Sequence, residues 1–290
     1  MVLRRFAILA AFGFSAACAA DPLPPPPAAL GLDPFYQKHL DADGIPVVSS
    51  TRVSDEALRR THRIMEAMLA HRPELASTLK DLGYRVAIMA EDEGTLDLPE
   101  QAHWTKPGPD DPRLTRCERK HYEARIGSRS HADYWNSRAR GMAGQLTSGA
   151  VEDIMGMPSS RYWGETIFVH EFSHGILAAI QVADPALFAR IEAAYAGARD
   201  RDLWAGEYAM TNMDEYWAEG TQFWFNSNRL AVMDGRRVLN HEDLAAYDPA
   251  LFAVLAEAYG EAHELPGDPF YRHAARVPPG PPPQNTAEVC

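Results

Sequence analysis

Residues 166–178 read TIFVHEFSHGILA, and the spacing inside this stretch decides how the rest of the chain is read. His170 and His174 stand four residues apart, so on an α-helix both imidazoles share one face. They can then share one cation, with Glu171 beside them in reach of a water on that cation. Ile167, Val169, Phe172, Ile176, Leu177 and Ile180 supply the apolar face of a buried helix, which would form with or without a metal. A helix carrying two surface histidines is therefore one reading, and a metal site is the other. A neutral imidazole nitrogen binds Zn²⁺ at about 2.0–2.1 Å, and catalytic zinc takes three protein ligands and leaves one position open. The motif supplies two of the three, so the third has to come from elsewhere in the chain.

The 290 residues are 46% hydrophobic, enough to bury a large core without help from disulfides. Residues 1–20, MVLRRFAILAAFGFSAACAA, run from Arg4 and Arg5 through a short apolar stretch to small residues, the pattern of a signal peptide. Cleavage after Ala19 or Ala20 fits it. Ser15-Ala16-Ala17-Cys18 also resembles a bacterial lipobox, with Ser15 where a leucine is usual, and a lipid on Cys18 would tie the chain to a membrane. Either route makes the mature chain extracytoplasmic: secreted, periplasmic or lipid-anchored. Losing Arg4 and Arg5 takes the formal charge from −12 to −14, which argues against nucleic acid as a partner.

Residues 21–34 contain four consecutive prolines, Pro24 to Pro27, and predict an extended linker outside the fold. No later stretch is long and apolar enough for a transmembrane helix, which leaves the mature body soluble or held by a lipid alone. With Cys18 removed or lipidated, Cys117 and Cys290 are left to form a disulfide in an oxidising compartment. That bond would pin the Pro-rich tail, residues 277–290, to the body. Neither cysteine has a partner at zinc-site spacing.

From Ser54 the run DEALRRTHRIMEAMLAH repeats apolar residues at helical spacing, with Ser54 as N-cap, and predicts a helix ending near His71. Pro73 starts a second, short helix that Gly83 stops, and residues 84–90 (YRVAIMA) read as a strand. The polar, Pro- and Gly-rich segment 91–116 reads as loop, and His103, His121 and His131, without partners at ligand spacing, read as surface histidines. Trp217, Phe223, Trp224 and Phe225 read as core aromatics, and an amphipathic helix stopped by Gly260 closes the domain.

For the third ligand, Leu177 and Ile180 occupy the positions where a Gly and a further His would follow HExxH in one zinc-peptidase class. Residues 208–219, YAMTNMDEYWAE, place Asn212 to cap a helix whose first turns carry Glu215 and Glu219. Asn-x-x-Glu also fits a capping box, in which Glu215 would bond back to the Asn212 amide. Glu192, in PALFARIEAAYAG, is the other carboxylate at a suitable remove.

The pattern Tyr208-x-x-Thr211-Asn212-x-x-Glu215-Tyr216-Trp217-Ala218-Glu219, downstream of HEFSH, resembles the peptidase domain of anthrax lethal factor and the related Pro-Pro endopeptidases. The resemblance covers residues 164–226. Arg161-Tyr162-Trp163-Gly164-Glu165 and Tyr247-Asp248-Pro249 resemble segments of secreted bacterial and fungal zincin-like proteins. These resemblances imply an α+β, zincin-like domain over residues 35–276, mostly helical with a small sheet beside the HExxH helix. They imply a zinc metalloendopeptidase of the gluzincin type, with a peptide or protein as substrate. In that reading His170, His174 and Glu215 hold Zn²⁺, Glu171 is the base, and Tyr208 stabilises the oxyanion. Glu219 would bond the far nitrogen of a ligand histidine and fix its tautomer. Residues 147–155 (TSGAVEDIM) predict a second strand ahead of the helix, where zincins bind the substrate backbone. The rival reading is a non-catalytic secreted binding protein on the same scaffold, which would have no need of Glu171.

Overall fold

A computed structural model describes residues 21–112, 114 and 116–281. The expected signal peptide with Cys18, and Cys290 with the disulfide expected of it, lie outside the described residues. The chain is a mixed, helix-rich architecture around a small sheet, as an α+β class requires.

The sheet runs in the order β1 (Lys38–Ala42), β2 (Ile45–Ser49), β3 (Arg85–Met89), β4 (Leu146–Ala150). β1 and β2 are antiparallel, and their register closes at Ala42 opposite Ile45 over the two-residue turn Asp43-Gly44. Both turn residues have positive φ, 52° and 89°, which an Asp-Gly pair accommodates at little steric cost. β2, β3 and β4 run parallel. Parallel strands are covered on both faces, which explains why β3 has four buried residues in a row.

α1 (Asp55–Leu69) begins where Ser54 accepts a hydrogen bond from the Ala57 amide, and α2 (Pro73–Asp81) ends before Gly83, whose φ is +75°. α3 (Arg116–Lys120) and α4 (His131–Arg138) follow the long irregular segment. α5 (Val151–Ile154) leads to the HExxH helix α6 (Ile167–Ala183), then α7 (Pro185–Asp200), α8 (Met213–Trp224), α9 (His241–Tyr247) and α10 (Pro249–Tyr259). Ile45, Val47 and Ile88 of the sheet share one core with Leu58 and Ile64 of α1, Phe168 and Phe172 of α6, and Trp217 of α8.

Two expectations need correcting. Residues 21–34 are not a free spacer: the Pro24 carbonyl accepts from the His39 amide, the Asp21 carbonyl from Arg59, and the Asp55 carboxylate from the Leu23 amide. A polyproline stretch makes no hydrogen bonds within itself, so its carbonyls are free to take donors from the body. The strand expected over 147–155 stops at Ala150, because Glu152 and Asp153 are needed elsewhere. Glu152 pairs with Arg140, and the buried Asp153 carboxylate accepts the Ile167 and Phe168 amides at 3.4 and 3.3 Å. Thr166 offers α6 no side-chain cap, so Asp153 supplies it across the fold. The outer edge of β4 is also already paired, with Met142 and Ser148 exchanging backbone hydrogen bonds of 3.2 and 2.9 Å.

Asp248, fully buried between α9 and α10, accepts from the Trp204 indole at 3.0 Å and the Tyr216 hydroxyl at 2.7 Å. The Tyr247 hydroxyl accepts from the Trp204 amide at 2.7 Å. The Tyr247-Asp248 pair thereby anchors the turn before Tyr208 and the first turn of α8 to the same point.

Behind α6, the Thr166 hydroxyl donates to Asp268 Oδ1 at 2.5 Å, while Asp268 Oδ2 is buried with no partner among the described residues. Burial pushes the Asp268 pKa up from 3.8 to about 6. A carboxyl raised in the folded state contributes most below its unfolded pKa, and that contribution is lost as pH rises through the folded one. Wild type should therefore lose about 2 kcal/mol relative to Asp268→Asn between pH 4 and 7. Urea midpoints of both proteins across that range measure it, and parallel curves would refute the raised carboxyl.

Candidate metal centre

α6 carries His170 and His174 on one face, and their ring centroids lie 5.0 Å apart. Facing them is the start of α8, where Asn212 Oδ1 accepts the Glu215 amide at 2.9 Å. The cap uses the Glu215 backbone and leaves its carboxylate free to turn inward, so the side chain does not bond back to Asn212. Instead Glu215 Oε2 lies 2.9 Å from His170 Nε2 and 3.7 Å from His174 Nε2. One ligand atom from each of the three residues lies within 4.8 Å of the others, the one such metal-ligating group among the described residues. Glu192 is exposed on α7 and outside this group, which removes it as the third ligand. His103 and His131 are exposed and His121 is half-buried, all three also outside it.

Tyr208 sits on a single 3-10 turn, Tyr208–Met210, just before the Asn212 cap, and its hydroxyl donates to Glu215 Oε1 at 3.3 Å. Its side of the cleft is open, with the residue 50% exposed. Glu171 lines the same cleft, as do Arg138, Gly141, Tyr162 and Arg229. A Cβ on Gly141 would stand 3.1 Å from Glu171 Cγ, so a glycine there lets the backbone lie close against the carboxylate arm.

The far nitrogen of His170 has two oxygens near it. Glu219 Oε1 is 3.6 Å from Nδ1, beyond a hydrogen bond, whereas Gln222 Oε1 is at 3.3 Å. Glu219 is held from its other oxygen by Asn228 Nδ2 at 2.8 Å. The contact assigned to Glu219 from sequence thus falls to Gln222, two helical turns beyond Glu215 and on its face of α8. Glu165 was not singled out either, yet it is buried at the cleft and pairs with Arg229 at 2.5 Å.

The electrostatics favour a cation. Burial works against a charged His170, but the Glu215 hydrogen bond and the charges of Glu219, Glu171 and Glu215 prevail and push its pKa up to about 9. Burial, and then the charge on His170, bring His174 down to about 4, so its ring is neutral. Burial also raises Glu171 to about 7, with Glu215 adding to it and His170 opposing. Glu165 is likewise raised to about 7 by burial, against the pull of Arg229. Two imidazoles and a carboxylate, with two further carboxylates nearby, are the donor set and charge balance that suit Zn²⁺.

No protein-family model and no curated protein matches this chain. Among solved structures it is similar to the Pro-Pro endopeptidase PPEP-2 from Paenibacillus alvei. The two are 13% identical, with a TM-score of 0.45 over 73% of this chain and 96% of that one. At that TM-score the likeness carries no weight for activity, and the site has to be judged on its own residues.

Proposed function

We propose that this chain is a zinc-dependent metallopeptidase of the gluzincin type, built on a zincin-like domain. One observation carries the reading: His170, His174 and Glu215 bring their ligand atoms within 4.8 Å of one another, in a cleft that also presents Glu171 and Tyr208. When bound there, zinc would supply Lewis-acid polarisation of a carbonyl and a lowered water pKa.

The chain's own residues do the rest. A Glu171 carboxylate can take the proton from an attacking water and return it to the leaving amine nitrogen, and a pKa near 7 suits both transfers. The Tyr208 hydroxyl, released from Glu215 Oε1, can donate to the substrate carbonyl oxygen as negative charge builds on it. Arginine side chains in the cleft give an extended peptide polar contacts away from the reacting centre. In our reading the activity is extracytoplasmic, which the signal-peptide pattern and the expected Cys117–Cys290 pairing support, with membrane attachment through Cys18 as the lipidated form.

A peptide-library digest with zinc-loaded mature protein tests the function. Cleavage should vanish with a chelator and return with zinc. A folded, zinc-loaded protein that cuts nothing would leave the binding-protein reading in its place.

A further inference from the structure

We propose that Gln222 is a positioning residue that selects the tautomer in which His170 offers the Nε2 lone pair to a cation. The inference rests on the metal reading of the site given above and adds a residue to it.

Gln222 is fully buried on α8 and bridges two groups: its Nε2 lies 3.2 Å from the Thr166 carbonyl, and its Oε1 lies 3.3 Å from His170 Nδ1. The two ends of a glutamine amide look alike in shape, so the partners decide which way it points. The Thr166 carbonyl can only accept, so it must face the amide nitrogen. The amide oxygen is then left towards His170, and an oxygen can only accept from the ring. His170 Nδ1 must therefore carry a hydrogen.

Nε2 here also donates, to Glu215 Oε2 at 2.9 Å; a cation would take the place of that hydrogen and leave the one on Nδ1, so that the Nε2 lone pair points to where Glu215 and His174 converge. The chain fixing the tautomer starts at the N-cap of the helix that carries the ligand, passes through α8, and returns to α6. Thr166 is itself held, its amide donating to the Ser227 carbonyl at 3.1 Å and its hydroxyl to Asp268. Glu219, tied to Asn228, adds charge beside the ring but does not set the hydrogen's place.

Metal affinity is the test, measured on the full mature chain by competition with a zinc chelator. Gln222→Met keeps the length and apolar volume of the side chain and removes both hydrogen bonds. It should weaken zinc binding by about 10–100-fold, the usual loss when a group holding a ligand histidine is removed. Glu219→Gln should bind within a few-fold of wild type. Long-range ¹H–¹⁵N spectra of the zinc-loaded wild type should find the His170 hydrogen on Nδ1, a readout that holds even where Gln222→Met fails to fold.

A folded Gln222→Met protein with wild-type affinity would overturn the proposal, as would a loss carried by Glu219→Gln alone or a hydrogen found on Nε2. Wild type that takes up no zinc would overturn the metal reading together with it. Wild type that binds zinc but cleaves no peptide would defeat only the peptidase reading, and the affinity comparison would still decide the role of Gln222.

Discussion

Glu171→Gln is expected to cut peptide hydrolysis by about 10²–10⁴-fold while leaving bound zinc unchanged, since removing a general base costs that much. Glu171 stands outside the ligand group formed by His170, His174 and Glu215, so the metal should not notice the change. The substitution keeps the shape of the side chain and removes its capacity to accept a proton. Burial already disfavours the Glu171 charge, so a neutral amide there should not unfold the protein. The measurement is kcat on any cleaved library peptide, paired with metal content of the same sample. A zinc-loaded Glu171→Gln protein turning over at the wild-type rate would take Glu171 out of the reaction.

Tyr208→Phe carries the second large effect. Its hydroxyl makes one long hydrogen bond, 3.3 Å to Glu215 Oε1, and the residue is 50% exposed, so stability should change little. If the hydroxyl donates to the developing oxyanion, kcat should fall by about 10²–10³-fold with KM and zinc content nearly unchanged, as when one oxyanion donor is lost. A phenol that merely packs or tethers Glu215 would leave kcat near normal. That outcome would remove Tyr208 from the mechanism without touching the metal ligands.

Much of the site was legible because its information is local. His170, Glu171 and His174 follow from spacing on one helix, and Asn212 announces the start of the helix that carries Glu215. Strand β3 and the core aromatics of α8 are equally local, readable from apolar runs. What escaped depends on distant backbone. Gln222 lies on the Glu215 face and could have been noticed, but its meaning comes from the Thr166 carbonyl, a group no side-chain pattern encodes. The Glu165–Arg229 pair and the Asp153 cap of α6 likewise join segments that meet only in the folded chain.

The β1–β2 hairpin is a different case. Its Asp43-Gly44 turn is a strong local hairpin signal, and the strands on either side of it are only five residues long. The Pro-rich leader before it is a matter of partners: composition shows a chain without internal hydrogen bonds, whereas the donors to its carbonyls come from His39 and Arg59. Element type was thus easier to read than tertiary partnership, although the strand expected over 147–155 gives way to helix α5 after Ala150.

The central claim is that Glu215 completes a three-ligand zinc site with His170 and His174. Zinc content of purified mature protein, compared with Glu215→Ala and Glu192→Ala variants after equal dialysis, tests it most directly. The account predicts about one zinc per chain in wild type and Glu192→Ala, and a loss of most of it in folded Glu215→Ala. Full zinc occupancy in Glu215→Ala, or none in wild type, would contradict it.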